Sequence, residues 1–146
     1  MALVLYAVYT FLAAYNAGNM TSLQMQHYSI YRYVGKENFQ KYIGANNRAA
    51  FVPAMVPGLL MHILSVILIL YRPYFMTTAE AIASLILNVI GFISTLKWQR
   101  PLQAEMVHSE YNEEKVRLLI STNWIRTVAF LLLGGLTIYI LVATLK

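Results

Sequence analysis

The residues with the most evident chemical potential stand near the ends of apolar segments. Glu105 and His108 form a Glu-x-x-His pair, which on a helix places both side chains on one face. Di-iron carboxylate bundles use this spacing, but they need two such pairs and two further glutamates. His27 is the other histidine expected at the same membrane end. We therefore expect no metal site, and Glu105 and His108 are only weak candidates for one.

Asn123 and Arg126 open the last apolar segment, in the run Asn-Trp-Ile-Arg-Thr. We expect Thr122 or Asn123 to cap a helix there. An arginine at a membrane boundary needs an anionic partner, so we expect Arg126 to reach a lipid phosphate or to pair with Glu105 or Glu110. No complete catalytic constellation is present. If the chain is an enzyme, the candidates for acid, base or anion-holding roles are His27, Glu105, His108, Asn123 and Arg126.

The composition indicates that lipid surrounds most of the chain. Hydrophobic residues make up 59% of the 146 residues and charged residues 12%, about half the charged fraction of a soluble domain. The mean hydropathy is +0.56. The formal net charge is +5, but the basic residues lie between apolar runs and no nucleic-acid motif appears, so we expect no nucleic-acid partner. The absence of cysteine excludes disulfides and thiolate chemistry.

Four apolar segments are long enough to cross a bilayer as helices, which need about 20 residues. We place these spans at about 2–25, 49–71, 77–96 and 123–145. The first is interpreted as a retained helix rather than a signal peptide, because no basic residue precedes it and its end is a poor cleavage site. The predicted fold is an all-α membrane protein: a four-transmembrane-helix bundle, residues 1–146, forming a single polytopic domain.

The three connections between the spans differ in kind. Residues 71–76 form a tight hairpin in which Pro73 ends a helix. The two long connections are expected to contain short interfacial helices. In the first, Phe39 and Tyr42 are spaced i and i+3, which favours such a helix. In the second, the amphipathic stretch 113–120 either lies on the membrane surface or extends the fourth helix inward.

The basic residues are concentrated in the two long connections, and only Arg72 and Lys146 lie at the opposite end. The positive-inside rule therefore places the long connections in the cytoplasm and both termini outside. The residues that carry this prediction are Arg32, Lys36, Lys41, Arg48, Lys97, Arg100, Lys115, Arg117 and Arg126.

Polar side chains inside the spans are costly in lipid, so they mark either interhelical hydrogen bonds or a ligand site. Helical spacing places four polar residues of the first span on one face, and the hairpin allows His62 to meet Ser84 or Asn88 in a structural bond or a proton relay. Glu80 is expected to snorkel to the headgroups or to cap its helix. The candidate ligand-lining residues are Tyr9, Asn16, Asn19, Gln26, His62, Asn88 and Gln103.

Three stretches together resemble a group of small, largely uncharacterised bacterial four-helix membrane proteins. The first is Gln26-His27-Tyr28 followed by Val34-Gly35, Phe39, Tyr42, Arg48, Pro53, Pro57 and Leu59. The second is Trp98-Gln99-Arg100-Pro101-Leu102, and the third is Asn123-Trp124-Ile125-Arg126-Thr127. The group is distantly similar to the anthrone-oxygenase-like membrane family, which is implicated in oxidising aromatic polyketides. The resemblance implies a bacterial inner-membrane location and an oxygenase-like site at the cytoplasmic end of the bundle.

The chain departs from that group at two positions. A histidine commonly follows the tyrosine matched by Tyr42, and another follows the Pro-Leu pair, but here these positions are Ile43 and Gln103. The resemblance therefore implies the fold more strongly than it implies an oxygenase activity.

Three hypotheses for function follow from these patterns. The first is an accessory or binding protein for a lipid, a hydrophobic small molecule or a partner subunit. The second is a membrane enzyme on a lipophilic substrate, and the third is a proton-coupled carrier that acts as an oligomer. The expected partners are membrane lipid, a hydrophobic small molecule, and a homo-oligomer or larger membrane complex. The sequence identifies no cofactor.

Overall fold

The computed structural model describes residues 1–145, and Lys146, which the topology prediction includes, lies outside them. Within this part of the chain the structure is helical apart from short connections, and no strand occurs, which confirms the predicted all-α class. The α-helices are α1 (Ala2–Ser22), α2 (Phe39–Leu70), α3 (Thr78–Ser94), α4 (Arg100–His108) and α5 (Glu113–Thr144).

Short turns of other helix types link these elements into four long helical bodies. A π-helical turn, Leu23–His27, and a 3₁₀ turn, Tyr28–Tyr33, continue α1. A second 3₁₀ turn, Lys36–Asn38, leads into α2. A π-helical turn, Thr95–Gln99, joins α3 directly to α4. Both π-helical turns therefore stand at the same end of the bundle as the two long connections, which we call the connection end.

Three of the helical bodies are long and apolar enough to cross a membrane: Lys36–Leu70, Thr78–His108 and Glu113–Thr144. This agrees with the prediction that the chain is a membrane protein. The predicted first span, 2–25, is not among these three, and tyrosine, threonine and asparagine interrupt the apolar residues of helix α1. Its buried face packs along α5, and α5 in turn packs against α3, while α2 contacts both α1 and α3.

Two helices begin earlier than predicted. Helix α2 starts at Phe39 instead of residue 49, so Phe39 and Tyr42 lie in its first turns rather than in a separate helix. Helix α5 starts at Glu113 instead of residue 123, so the stretch 113–120 extends the helix inward, as one of the two predicted alternatives had it. The hydropathy pattern marks only the apolar part of a helix. The helix itself can continue beyond that part through polar residues, as α2 and α5 both do.

The cap of α5 also differs from the prediction. The side chain of Asn112 accepts a hydrogen bond from the backbone nitrogen of Lys115 at 3.1 Å. The expectation that Thr122 or Asn123 caps this helix was wrong, because both lie in its interior. At the opposite end of the bundle, Thr77 and Glu80 form a capping box at the start of α3, which confirms the capping alternative for Glu80.

Close contacts at glycines set the packing of α5. A Cβ atom on Gly134 would lie 3.5 Å from the Ala17 Cβ, so small residues of α1 and α5 meet there. At Gly91, a Cβ atom would overlap the ring of Phe130, so this glycine allows α3 to approach α5.

Two prolines inside α2 would leave backbone carbonyls unpaired in lipid. Pro57 lacks the N–H group that would bond to the carbonyl of Pro53 in an α-helix. The hydroxyl of Tyr15 on α1 donates to that carbonyl oxygen at 3.1 Å. Helix α1 thus supplies the hydrogen bond that the proline removes, as membrane helices require.

Candidate ligand site

Arg126 of α5 is the centre of a polar network at the connection end. Its side chain is only 6% exposed. Nη2 donates to the Tyr28 hydroxyl oxygen at 2.8 Å, and Nε donates to Oδ1 of Asn123. The ion pairs found among residues 1–145 are Lys115–Glu105 and Arg117–Glu113. Of the two predicted alternatives for Arg126, the ion pair with Glu105 or Glu110 was therefore wrong, because Lys115 holds Glu105 at 2.7 Å and Arg126 is bonded to neutral groups; the contact with a lipid phosphate stays a prediction.

Tyr28 receives two hydrogen bonds through one oxygen. Gln103 Nε2 donates to it at 2.9 Å, in addition to the bond from Arg126. A phenol oxygen that accepts twice still has its own O–H proton to donate. Among the described residues, Arg126 Nη1 also has no acceptor. The guanidinium and the phenol thus keep unused donors side by side.

Asn123 fixes the position of Arg126 through a second set of bonds. Its Nδ2 donates to Gln24 Oε1 at 2.6 Å and to Thr127 Oγ1 at 3.2 Å. Gln24 Nε2 in turn donates to the Ile120 carbonyl at 3.3 Å. These side-chain hydrogen bonds join the π-helical turn after α1 to α5. They hold Asn123 in place, and Asn123 accepts the hydrogen bond from Arg126.

The inward-facing glutamine is Gln24, not Gln26. Sequence spacing placed Gln26 on the buried face because it lies seven residues after Asn19. The structure leaves Gln26 exposed and buries Gln24. The buried face of α1 runs through Ala17 and Met20, and Gln24 lies seven residues after the one and four after the other, so helical spacing continues that face to Gln24.

A small cavity of about 60 Å³ with both polar and apolar walls adjoins Arg126. Its polar walls come from Arg126, Tyr28, Gln103, Asn46, Asn47, Gln99, Arg100 and Thr95. At about 30 Å³ per water molecule, this is room for about two waters or one small polar group.

A larger, mainly apolar cavity of about 340 Å³ lies next to it, within the range of about 300–1,000 Å³ typical of small-molecule sites. Its α2 wall runs from Phe51 to His62, about 16 Å at a rise of about 1.5 Å per residue. Phe51, Leu59 and Leu96 at its edge are more than half exposed, so the cavity opens on the side of the bundle. The residues shared with the small cavity are Met20, Phe51, Ala54, Met55, Thr95 and Arg126.

His62 lies at the other end of the large cavity. Its Nδ1 is 2.6 Å from the Gly58 carbonyl oxygen, which only accepts, so Nδ1 carries the proton of this bond. Nε2 is buried with no partner among residues 1–145, and the ring packs against Phe92 with centroids 4.6 Å apart. The predicted contacts of His62 with Ser84 or Asn88 do not form, because the carbonyl one turn back engages the ring instead.

Asn88 makes a separate link between α3 and α2. Its Nδ2 donates to Ser65 Oγ at 2.9 Å and to the Met61 carbonyl at 3.3 Å. Tyr9 is likewise buried in the helix packing, away from both cavities. Of the ligand-lining candidates, the structure places Asn16 and His62 on the large cavity and Gln103 on the small one.

The weak metal candidates lie apart from the cavities. Glu105 and His108 are both exposed on α4, and neither lines a cavity. Among residues 1–145, no group of three or more His, Asp or Glu side chains is placed to share a metal ion. His27 instead packs within a cluster of aromatic rings, with centroids 5.4 Å from Tyr31 and 6.3 Å from Tyr42, and burial lowers its pKa.

Sequence reasoning missed Gln24 and Tyr28 as site residues. They are four residues apart, so ordinary helical spacing already places them on one face. This spacing was a usable signal, but the prediction took Asn16 and Asn19 to define the buried face of the first span.

Compared with known proteins, the chain matches no family model, no curated protein and no solved structure.

Proposed function

We propose that this chain is an integral membrane protein whose role is to bind a lipophilic small molecule in the large cavity between α2, α3 and α5. The observation that carries the proposal is an apolar cavity of about 340 Å³ that opens on the side of the bundle, between helices apolar enough to be surrounded by lipid. A molecule dissolved in the membrane would enter it sideways. Burial of its apolar surface would drive binding at about 25 cal/mol per Å².

The proposal includes four transmembrane helices, with α1 as the fourth. Its support is the packing of α1 along α5, where small residues at Ala17 and Gly134 allow close contact. With four spans, the basic residues of the connection end favour a cytoplasmic location for that end and an outside location for both termini. Helix α4 and the turns before α2 then lie at the inner surface, in a bacterial inner membrane.

Catalysis draws less support from the geometry than binding does. Glu105 and His108, two of the five candidates for acid, base or anion-holding roles, are exposed and line neither cavity. Arg126 and Asn123 do meet, but their partners Tyr28 and Gln24 are neutral donors and acceptors. A carrier draws still less support, since Glu80 is engaged in a helix cap at the far end.

Native mass spectrometry of the intact protein, released from its membrane in a mild nonionic detergent, tests the binding proposal. We expect a noncovalent adduct of discrete mass on the unaltered chain. Ala54→Phe should remove it, because Ala54 lines both cavities and a phenyl ring would fill the shared space. Ala7→Phe, on the exposed face of α1, is the matched control and should keep it. Protein without any adduct, or an adduct equally abundant on Ala54→Phe, would overturn the proposal.

A further inference from the structure

Arg126 is a buried cation whose protein partners are all neutral. Its side chain is 6% exposed, and its hydrogen bonds go to the Tyr28 phenol and the Asn123 amide. No carboxylate of residues 1–145 lies within ion-pairing distance of it. A charge removed from water is costly unless an opposite charge or a full set of hydrogen bonds compensates it. The surroundings of Arg126 therefore lack an anion.

The hydrogen-bond donors of Arg126 and Tyr28 that have no acceptor indicate which kind of anion would bind there. Arg126 Nη1 has no acceptor among the described residues, and the Tyr28 oxygen already accepts from Arg126 and Gln103. Arg126 and Tyr28 both line the small cavity, so their remaining N–H and O–H donors lie next to it. Carboxylate and phosphate groups have the oxygen pairs that a guanidinium fork binds best.

The sizes of the two cavities indicate a ligand with a small anionic head and a larger apolar body. The small cavity, about 60 Å³, holds a carboxylate or phosphate oxygen group and little more. The large cavity, about 340 Å³ and lined mainly by apolar side chains, accommodates a hydrocarbon or aromatic body. Arg126 lines both cavities, so a head bound to it leaves the body in the apolar space.

The charges around the small cavity also favour an anion. Arg100 lines it, and Arg48 and Arg100 both line the adjoining surface depression. None of the five glutamates of this end, Glu37, Glu105, Glu110, Glu113 and Glu114, lines either cavity or the depression. An anionic head in the small cavity therefore lies beside arginine and no carboxylate.

We infer that the ligand is an anionic amphiphile, with its oxyanion bound by Arg126 and Tyr28 and its apolar body in the large cavity. This inference rests on the proposed binding function and deepens it. The shared chemistry is an oxyanion on an apolar chain, which a long-chain carboxylic acid and a single-chain lipid phosphate both supply.

Three probes with the same oleyl or oleoyl chain separate the head from the body. They are oleate, oleoyl lysophosphatidate and the neutral oleyl alcohol, titrated into the purified chain in a nonionic detergent and followed by native mass spectrometry. We expect at least one anionic probe to bind about tenfold or more tightly than the alcohol, the difference that one charge-assisted hydrogen bond provides. A preference for oleate identifies a carboxylate head, and a preference for the lysophosphatidate identifies a phosphate head.

Two failures are distinguishable in this experiment. Equal binding of all three probes overturns the oxyanion inference but leaves the lipophilic cavity in place. Binding of none, together with the absence of any co-purified adduct, overturns the proposed function itself. Both outcomes are measured on the unaltered chain, so neither conclusion requires a variant to fold.

Variants then assign the preference to Arg126. Arg126→Gln should lower the affinity for the anionic probe to that for the alcohol, whereas Arg126→Lys retains the charge and should keep part of the preference. Arg117→Gln removes an exposed arginine from the same helix and should change nothing. An Arg126→Gln chain that folds and still prefers the anion would contradict the assignment, and so would an Arg126→Lys chain that folds and loses it.

Discussion

The guanidinium of Arg126 donates to the hydroxyl oxygen of Tyr28 at 2.8 Å, between residues 98 positions apart in the chain. Gln103 donates to the same oxygen from α4. One phenol thus joins α5, α4 and the 3₁₀ turn after α1. The bond holds a cation in position without a carboxylate, which leaves its charge available to a ligand.

Removal of this phenol should destabilise the protein. Tyr28→Phe leaves the donors of Arg126 and Gln103 without their acceptor, and an unsatisfied buried donor costs about 1–3 kcal/mol. We expect a lower midpoint of thermal unfolding in detergent, with the helical content at low temperature unchanged. Tyr33→Phe is the control, because Tyr33 is 78% exposed. Equal midpoints for Tyr28→Phe and the unaltered chain would show that the shared oxygen stabilises nothing.

A substitution at Gly91 tests the packing of α3 on α5. Gly91→Ala would place a methyl group into the ring of buried Phe130, and overpacking of this kind costs about 1–3 kcal/mol. Gly135→Ala adds the same methyl group where no atom lies within 4 Å, so its unfolding midpoint should stay the same or rise. If both variants unfold at the same temperature, α3 and α5 are farther apart than described.

Asn88 and Ser65 should be energetically coupled. The Asn88 amide donates to Ser65 Oγ at 2.9 Å across the α2–α3 contact, and such bonds between membrane helices contribute about 0.6 kcal/mol on average and up to about 1.7. A double-mutant cycle with Asn88→Ala, Ser65→Ala and the double variant measures the coupling from unfolding free energies. Strictly additive losses would mean that no bond forms between these side chains.

The pH dependence of stability should include a contribution from His27. Burial lowers the pKa of His27, whereas in the unfolded chain the ring binds a proton below its ordinary pKa of about 6.5. The unfolded state then takes up more protons, so stability decreases as the pH falls below about 6.5 and stops decreasing below the folded-state pKa. Acidification from pH 8 to pH 5 should lower the unfolding midpoint.

His27→Gln should reduce that acid-induced decrease, because the titrating ring is removed. His108→Gln, at an exposed position outside both cavities, should retain it. The same pH profile for His27→Gln and the unaltered chain would place the titration elsewhere. The unfolding midpoint, followed by circular dichroism across the pH range, provides the measurement.

Local sequence patterns were sufficient for much of the fold. Hydropathy predicted four spans, and three of them coincide with helices apolar enough to cross a membrane; Pro73 marked the hairpin, and capping was one of the two roles expected of Glu80. Each of these depends on neighbouring residues alone. The start of α2 at Phe39 was not predictable in this way, because the helix continues beyond its apolar part.

The site itself depended on features that no local pattern reports. Gln24 continues the buried face of Ala17 and Met20 at helical spacing, but spacing alone does not show that this face, rather than the one through Asn19 and Gln26, is the buried one. Arg126 was identified correctly as a residue in need of a partner, but its partner Tyr28 is brought to it only by the packing of α1 on α5. Charge alone suggested a lipid phosphate or a glutamate, whereas the tertiary structure places the Tyr28 phenol beside the guanidinium.

Photocrosslinking from position 51 tests most directly whether a specific molecule occupies the large cavity. Phe51 lines the cavity and Val52 does not, yet both are more than half exposed. With benzoylphenylalanine at one position or the other, illumination of intact membranes should give one dominant adduct mass from position 51, lost in Arg126→Gln. Position 52 should give only the mixture of bulk phospholipids. The same mixture from both positions would contradict an occupied, selective cavity.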